Sequence, residues 1–299
     1  MKKKLLITGN RGFIGSNLID YLNTDEMQEK YEIADTFQLN ERMGGFPDLE
    51  GIDTVIHLGA ISSTIERDVR KILDFNFSFS MALLKACCEK GVDLQYSSSA
   101  SVYGNTPKRK NTETDDYHPA SPYAWSKTLF DYEVERQHAG LPIKVQGLRY
   151  FNVYGDNWES SKGDQASPYT KWKDAQTIKL FHGSDKIKRD FIHVDDVSNI
   201  HIKLLETDRS GIFNVGTGVP TTFEDLGQHL SKCYDKPIEY MDMPDILKPQ
   251  YQYKTCSDNN KLIGAIGKYG FKNILESNPK PLATRVIPVS HPDHPDHDS

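Results

Sequence analysis

Apolar runs of strand length alternate with apolar residues at helical spacing through the first half of the chain. Lys3 to Thr8 forms a near-continuous apolar run stopped by Gly9, which predicts a buried strand, and Phe13 to Leu22 follows with helical periodicity. Thr54 to Leu58 predicts a second clear strand. Val69 to Glu89 predicts a helix, because Ile72, Leu73, Phe75, Phe79, Leu83 and Leu84 recur on one helical face. Val92 to Ser97 and Ile143 to Arg149 predict further strands. Between them a helix runs from Tyr123 to His138, ending near Gly140 and Pro142. Strands alternating with helices imply an α/β fold with a parallel sheet and right-handed crossovers. From residue 156 the pattern loosens: residues 156–175 are polar and poorly periodic, a candidate substrate loop. Beyond it, Asp195-Asp196 open a helix through Leu205, Phe223 to Tyr234 are helical, and Gly211 to Val215 and Ile238 to Met241 are strand-like.

Composition narrows the classes of function. The chain has 299 residues, 37% hydrophobic and 26% charged, as a large globular enzyme would. Its net charge of -6 argues against a general nucleic-acid binder. The run after Lys2-Lys3-Lys4 stops at Thr8 to Arg11, too soon for a secretory signal, and no stretch approaches a membrane span. Cys87, Cys88, Cys233 and Cys256 have neither zinc nor disulfide spacing, and read as small apolar residues in a reducing cytoplasm. His291, His294 and His297 invite a metal reading, but the proline density of residues 286–299 favours a disordered tail, so no metal is expected.

Gly9, Gly12 and Gly15 lie between the first strand and the first helix. Gly9 permits the tight turn, Gly12 lets backbone approach a pyrophosphate, and Gly15 lets the helix pack close on the sheet. Free amide groups and the helix dipole then favour a diphosphate. This context points to a Rossmann-type dinucleotide site with NAD or NADP as its cofactor. Asp35 is the natural partner for a ribose hydroxyl; Arg42 could instead meet a 2′-phosphate, and the alternatives stay open.

Tyr123 and Lys127 fall about one helical turn apart, on one face. A fixed ammonium beside a phenol favours phenolate, which suits proton removal from an alcohol as a hydride leaves its carbon. Upstream, a strand ends in Ser97-Ser98-Ser99, whose hydroxyls reach the crevice at the carboxyl edge of a parallel sheet. Ser99 is placed to hold a substrate oxygen beside Tyr123; strand-end capping is the competing role for any of the three.

Taken together, Thr8 to Asn17, His57 to Ala60, Asn76, Ser97 to Gly104, Tyr123 with Lys127, Arg149 to Gly155, Arg189 to Asp196 and Phe213 to Gly218 resemble the extended short-chain dehydrogenase/reductase family of nucleotide-sugar enzymes, in family order over nearly the whole chain. Where family dehydratases carry Thr-Asp-Glu, this chain has Ser99-Ala100-Ser101, so elimination lacks its acid. The serine segment is similar to UDP-galactose 4-epimerases. Ser62-Ser63-Thr64, Ser161-Lys162-Gly163, Lys179 to Ser184 and Met243 to Gln252 are similar instead to ADP-glycero-manno-heptose 6-epimerases.

The resemblance implies a doubly wound parallel sheet with a smaller α/β C-terminal substrate-binding domain. Residues 1–155 and parts of 185–220 would bind the dinucleotide, and 156–185 with 221–285 the substrate. It implies cofactor contacts from Gly9, Gly12, Phe13, Ile14, Gly15, Asp35, Leu58, Ala60, Asn76, Tyr123 and Lys127, with NADP favoured over NAD. Tyr123 and Lys162 would be acid/base groups on opposite faces of the sugar. Lys127 would bind the nicotinamide ribose and lower the Tyr123 pKa. Ser63, Ser99 and Asn152 would orient the sugar, and Phe181, Gly183, Ser184, Arg189 and Tyr251 would hold the ADP part. A homo-oligomer is also implied. Against these roles stand a solvated loop for Lys162 and an ion pair with Asp190 or Asp195 for Arg189. A UDP-hexose 4-epimerase and a non-catalytic dinucleotide sensor are the alternative functions. The Tyr123–Lys127 pair counts against the sensor.

Overall fold

The first aliphatic run becomes β1 (Lys3–Thr8), the second strand of a parallel sheet, flanked by β2 (Tyr31–Phe37) and β3 (Thr54–His57). β4 (Asp93–Ser99) and β5 (Val145–Tyr150) extend it. β6 (Asn152–Tyr154), β7 (Ile178–Phe181) and β8 (Lys188–His193) leave the sheet, and β9 (Gly211–Val215) returns beside β5, giving the order β2-β1-β3-β4-β5-β9. β10 (Pro220–Thr222) and β11 (Ile238–Met241) lie outside it. In this computed structural model the residues described are 1–39, 45–63, 66–106, 109–137, 140–155, 158–245, 247–248 and 251–276. Arg42, Thr64 and the expected tail with its three histidines therefore lie outside the described residues.

Alternation along β1 explains the layering. Leu6 joins a core with Leu83 and Leu84 of α4 (Phe79–Lys90) and Phe130 and Val134 of α5 (Pro122–Gln137). Leu5 and Ile7 point the other way, to Leu18 and Leu22 of α1 (Phe13–Leu22) and to Ile202 and Leu205 of α7 (Val194–Leu205). Helices thus cover both faces, as a parallel sheet requires. The predicted spans of β9, β11 and α8 (Phe223–Tyr234) are those observed.

Three departures have physical causes. The helix predicted over 69–89 is broken by a single π turn at Asp74–Ser78, between α3 (Val69–Leu73) and α4. β2 looks faint in sequence because it is an edge strand preceded by the short α2 (Asp25–Lys30), and only Tyr31 of it is buried. The described part of the polar stretch, 158–175, forms a 3-10 turn, Glu159–Gln165, followed by α6 (Pro168–Asp174). One buried carboxylate organises it: Glu159 accepts from the Gly155 and Ser167 N–H groups at 2.9 and 2.6 Å and from Thr170 Oγ1 at 2.6 Å. No apolar stripe announces such a segment.

A second region gathers the shorter strands. β8 pairs parallel with β6 and antiparallel with β10, and β11 pairs parallel with β7. α8 closes a separate core of Tyr169, Ile178, Leu180, Phe191, Leu226 and Leu230. α9 (Asn260–Ile266) instead packs Leu262 beside Phe213 and Ile200.

Candidate functional site

Two clefts open beside the carboxyl ends of the parallel strands. The first, about 360 Å3, runs from the glycine loop to the start of α5. Gly9 adopts φ +73°, and a Cβ there would sit 2.5 Å from the Gly59 nitrogen. At Gly15 a Cβ would meet the Gly9 carbonyl oxygen at 2.3 Å, so loop and helix touch backbone to backbone. No side chain caps α1, which leaves its first N–H groups for a ligand. An uncapped helix start in a loop that excludes Cβ atoms fits the diphosphate of a dinucleotide.

Phe13, Ile14, Leu58 and Ala60 also line this cleft, and Tyr123, Lys127 and Lys162 line it with them. Lys127 is buried, and its ammonium donates to the Ser97 carbonyl oxygen at 2.8 Å and to Ser97 Oγ at 3.3 Å. Burial lowers it to about 8, opposed by the Asp131 carboxylate. Tyr123 departs from expectation. Burial raises its phenol, the polar Ser99 hydroxyl lowers it, and Asp131 raises it further. The group that favours phenolate is thus the Ser99 hydroxyl, where the sequence reading had Lys127. Lys162 lies 5.6 Å from the centre of the Phe13 ring. Burial lowers its ammonium against the opposing Glu159 carboxylate, so it is not a solvated loop lysine.

Other expected contacts fall elsewhere. Asp35 is exposed on β2 and its carboxylate accepts the Thr36 N–H at 2.7 Å. Asn76 is buried and staples the loop at Ile61 to α5: it accepts from the Ile61 N–H at 2.8 Å and donates to the Ile61 carbonyl and Ser126 Oγ, each at 3.0 Å. Ser63 lines neither cleft. Arg11 and Gln165 line the first cleft without having been singled out, and Ser62 and Tyr150, which the sequence reading met only within longer motifs, line it with no role assigned to them. For Tyr150 a signal existed, since it directly precedes the Phe151-Asn152 step at the end of a predicted strand.

The second cleft, about 380 Å3, is lined by Asn152, Arg189 and Tyr251, with Ser101, Ala124 and Gln252. Arg189 is 7% exposed, lies 5.4 Å from the Tyr251 ring centre and 5.6 Å from that of Phe223, and donates to the Lys188 carbonyl at 3.2 Å. Burial lowers it to about 10, with Tyr251 opposing. The competing role, an ion pair with Asp190 or Asp195, is not what the structure shows. Asp190 is occupied by Thr217, Gly218 and Ser257, and Asp195 by Lys272. A buried guanidinium with no carboxylate partner among the described residues suits an anionic ligand. Phe181 stands edge-on behind Tyr251 at 6.2 Å. Gly183 takes φ +84° at the head of a short turn, and the Ser184 hydroxyl donates to Glu224 at 2.5 Å. Among the described residues no cluster of His, Cys, Asp or Glu could hold a metal ion. None of the described helices is long and apolar enough to cross a membrane.

Known structures share this architecture. The ADP-L-glycero-D-manno-heptose-6-epimerase of Helicobacter pylori superposes with a TM-score of 0.78 at 24% identity, over 92% of this chain and 93% of that one. A UDP-N-acetylglucosamine 4-epimerase from Methanobrevibacter ruminantium gives 0.77 at 24% identity, over 90% and 93%. The UDP-glucose 4-epimerase of Thermotoga maritima gives 0.74 at 25%, over 88% and 92%. Residues 5–216, from the first strand through the last strand of the parallel sheet, match the family described as NAD dependent epimerase/dehydratase, and the chain belongs to that family.

Proposed function

We propose that the chain inverts one carbon of a nucleotide sugar by transient oxidation, with an ADP-glycero-manno-heptose inverted at C6 as its substrate. The observation that carries this reading is the cleft that Tyr123, Lys127 and Lys162 share with the glycine loop. In this reading the Gly9 to Gly15 backbone holds the diphosphate of NAD or NADP, and Lys127 holds the nicotinamide ribose. Asp35 meets the adenosine ribose. When bound, the cofactor supplies a hydride acceptor and then a donor. Tyr123 takes the hydroxyl proton while Ser99, donating to its oxygen, steadies the phenolate. Oxidation flattens the sugar carbon to a ketone, and Lys162 exchanges a proton from the other face. Two groups serve where one could not reach both faces without turning the substrate. Arg189 and Tyr251 hold the nucleotide diphosphate, a role suited to a buried Arg189 with no carboxylate partner among the described residues, and Asn152 in the same cleft orients the reacting centre. The division into a dinucleotide unit (1–155 with parts of 185–220) and a substrate unit (156–185 with 221–285) belongs to the same proposal.

The Ser97 to Gly104 segment favours a second reading, a UDP-hexose 4-epimerase. Incubation with ADP-D-glycero-heptose, followed by NMR at C6, separates them. Inversion that Lys162→Ala abolishes supports the heptose reading. Inversion of UDP-galactose instead, indifferent to Lys162→Ala, supports the second. Neither reaction, with cofactor bound, removes both.

A further inference from the structure

Residues 158–165 are fastened at both ends across the first cleft. Ser62, in the loop after β3, and Gln165, at the end of the turn that carries Lys162, both line that cleft. Ser62 Oγ donates to Gln165 Oε1 at 3.0 Å, which joins two of its walls. At the other end the Trp158 indole N–H donates to Asp20 Oδ2 of α1 at 3.0 Å. Between these points the Lys162 ammonium lies over Phe13, the first residue of the same helix. The segment therefore runs from the helix whose start suits a diphosphate to a second wall of the cleft.

Its attachments let it move as a unit. Glu159 ties the two flanks together, Gly155 before it and Ser167 and Thr170 after it, so the turn between can tilt on a fixed base. Trp158 holds φ +63°, a left-handed conformation that a bulky side chain rarely adopts, and such strain persists only while neighbouring contacts impose it. Its relief favours the lifted position once the bonds at Asp20 and Ser62 part. The reaction supplies the reason for a closure. A hydride taken from the sugar is returned to it, so the cofactor ends each cycle as it began and has no need to leave. We infer that residues 158–165 form a gate over the bound dinucleotide, latched by Ser62 and Gln165, that sets how fast the cofactor enters and leaves. The inference rests on the reading of this cleft as the dinucleotide site.

The test is stopped-flow exchange on the full chain, followed by nicotinamide fluorescence. Mixing with NADPH or NADH gives the entry rate, and displacement of the bound form by excess NADP or NAD gives the exit rate. Because the latch joins protein to protein, loosening it should speed passage both ways, whereas losing a direct cofactor contact would speed exit alone. Ser62→Ala and Gln165→Ala should each raise both rates about three- to tenfold, the worth of one neutral hydrogen bond, and leave Kd within about twofold. The double variant should be no faster than either single, since the two residues share one bond. Ser62→Thr, which keeps the hydroxyl, should stay near wild type. Both side chains are exposed, so melting temperatures should not move. Unchanged rates, faster exit with unchanged entry, or effects that multiply in the double variant would overturn the gate while leaving the cofactor site intact. A wild-type chain that takes up neither NADPH nor NADH would instead remove the reading on which the gate rests.

Discussion

Lys127 Nζ donates to the Ser97 carbonyl oxygen at 2.8 Å, and the hydroxyl of Ser99, two residues further along the same strand, lowers the Tyr123 phenol. Alternate residues on one face of β4 therefore align the two groups that helix α5 presents. Because Ser99 is the neighbour that favours phenolate, removing it should raise the Tyr123 pKa. Ser99→Ala is expected to move the rising limb of the pH–rate profile to higher pH. It should also lower kcat about 10- to 100-fold near neutrality, the worth of a hydrogen bond to a charged group. Tyr123→Phe should cost about 10²- to 10⁴-fold while the cofactor still binds. A Ser99→Ala profile displaced to lower pH would contradict this arrangement.

Gly15→Ala should disable the cofactor site. A Cβ 2.3 Å from the Gly9 carbonyl oxygen forces α1 away from the loop, because the obstructing atom is backbone. We expect a stability loss of about 1–3 kcal/mol and a large loss of dinucleotide affinity. Urea unfolding and cofactor titration measure the two effects separately.

Arg149 is fully buried and donates to Asp131 at 2.7 Å, to Tyr103 OH at 3.0 Å and to Glu135 at 3.3 Å. Tyr96 and Ser98 also donate to Asp131, at 2.9 and 2.7 Å. Arg149→Met leaves that carboxylate buried without its cation and should cost about 3–5 kcal/mol. Arg149→Met with Asp131→Leu should recover part of it in urea unfolding. A double variant as unstable as the sum of its singles would argue against coupling.

Acid sensitivity should come from two buried histidines. His57 shares hydrogen bonds with Thr8 Oγ1 at 2.7 Å and Ser80 Oγ at 2.9 Å. His201 donates from Nδ1 to Gln95 and, as a neutral ring, accepts from Tyr150 OH at 2.6 Å. Burial lowers both to about 3, from an ordinary 6.5; near His57 the charge of Lys127 adds to it. Between those values the unfolded chain binds more protons than the folded one. Stability is therefore full above the ordinary value and falls as pH drops through the window, by up to about 1.4 kcal/mol per pH unit per histidine. The urea midpoint should fall accordingly, with a shallower slope in His201→Gln. An unchanged slope would clear His201.

The glycine loop and β9, α8 and β11 were legible because each rests on local signals, an apolar period or a glycine between strand and helix. The helix pairing of Tyr123 with Lys127 was legible for the same reason. What those residues touch was not. Choosing Ser97 over Tyr123 as the partner of Lys127 depends on the register between β4 and α5, which no spacing encodes. Sequence could not tell a ligand contact from an ion pair for Arg189, because Asp190 serves the Thr217 to Gly218 turn and Ser257, distant in sequence. β6 and β10, three residues each, are too short for a period of two to register.

Glu159 gives the segment that carries Lys162 its shape through hydrogen bonds to Gly155, Ser167 and Thr170. Held by that internal anchor and by outward bonds from Trp158 to Asp20 and from Ser62 to Gln165, such a loop can exchange the residues between these points without repacking the sheet beneath. The sheet and the loop above it can thereby diverge independently, the one keeping the glycine turn and the Tyr123–Lys127 pair, the other varying the side chains that face them.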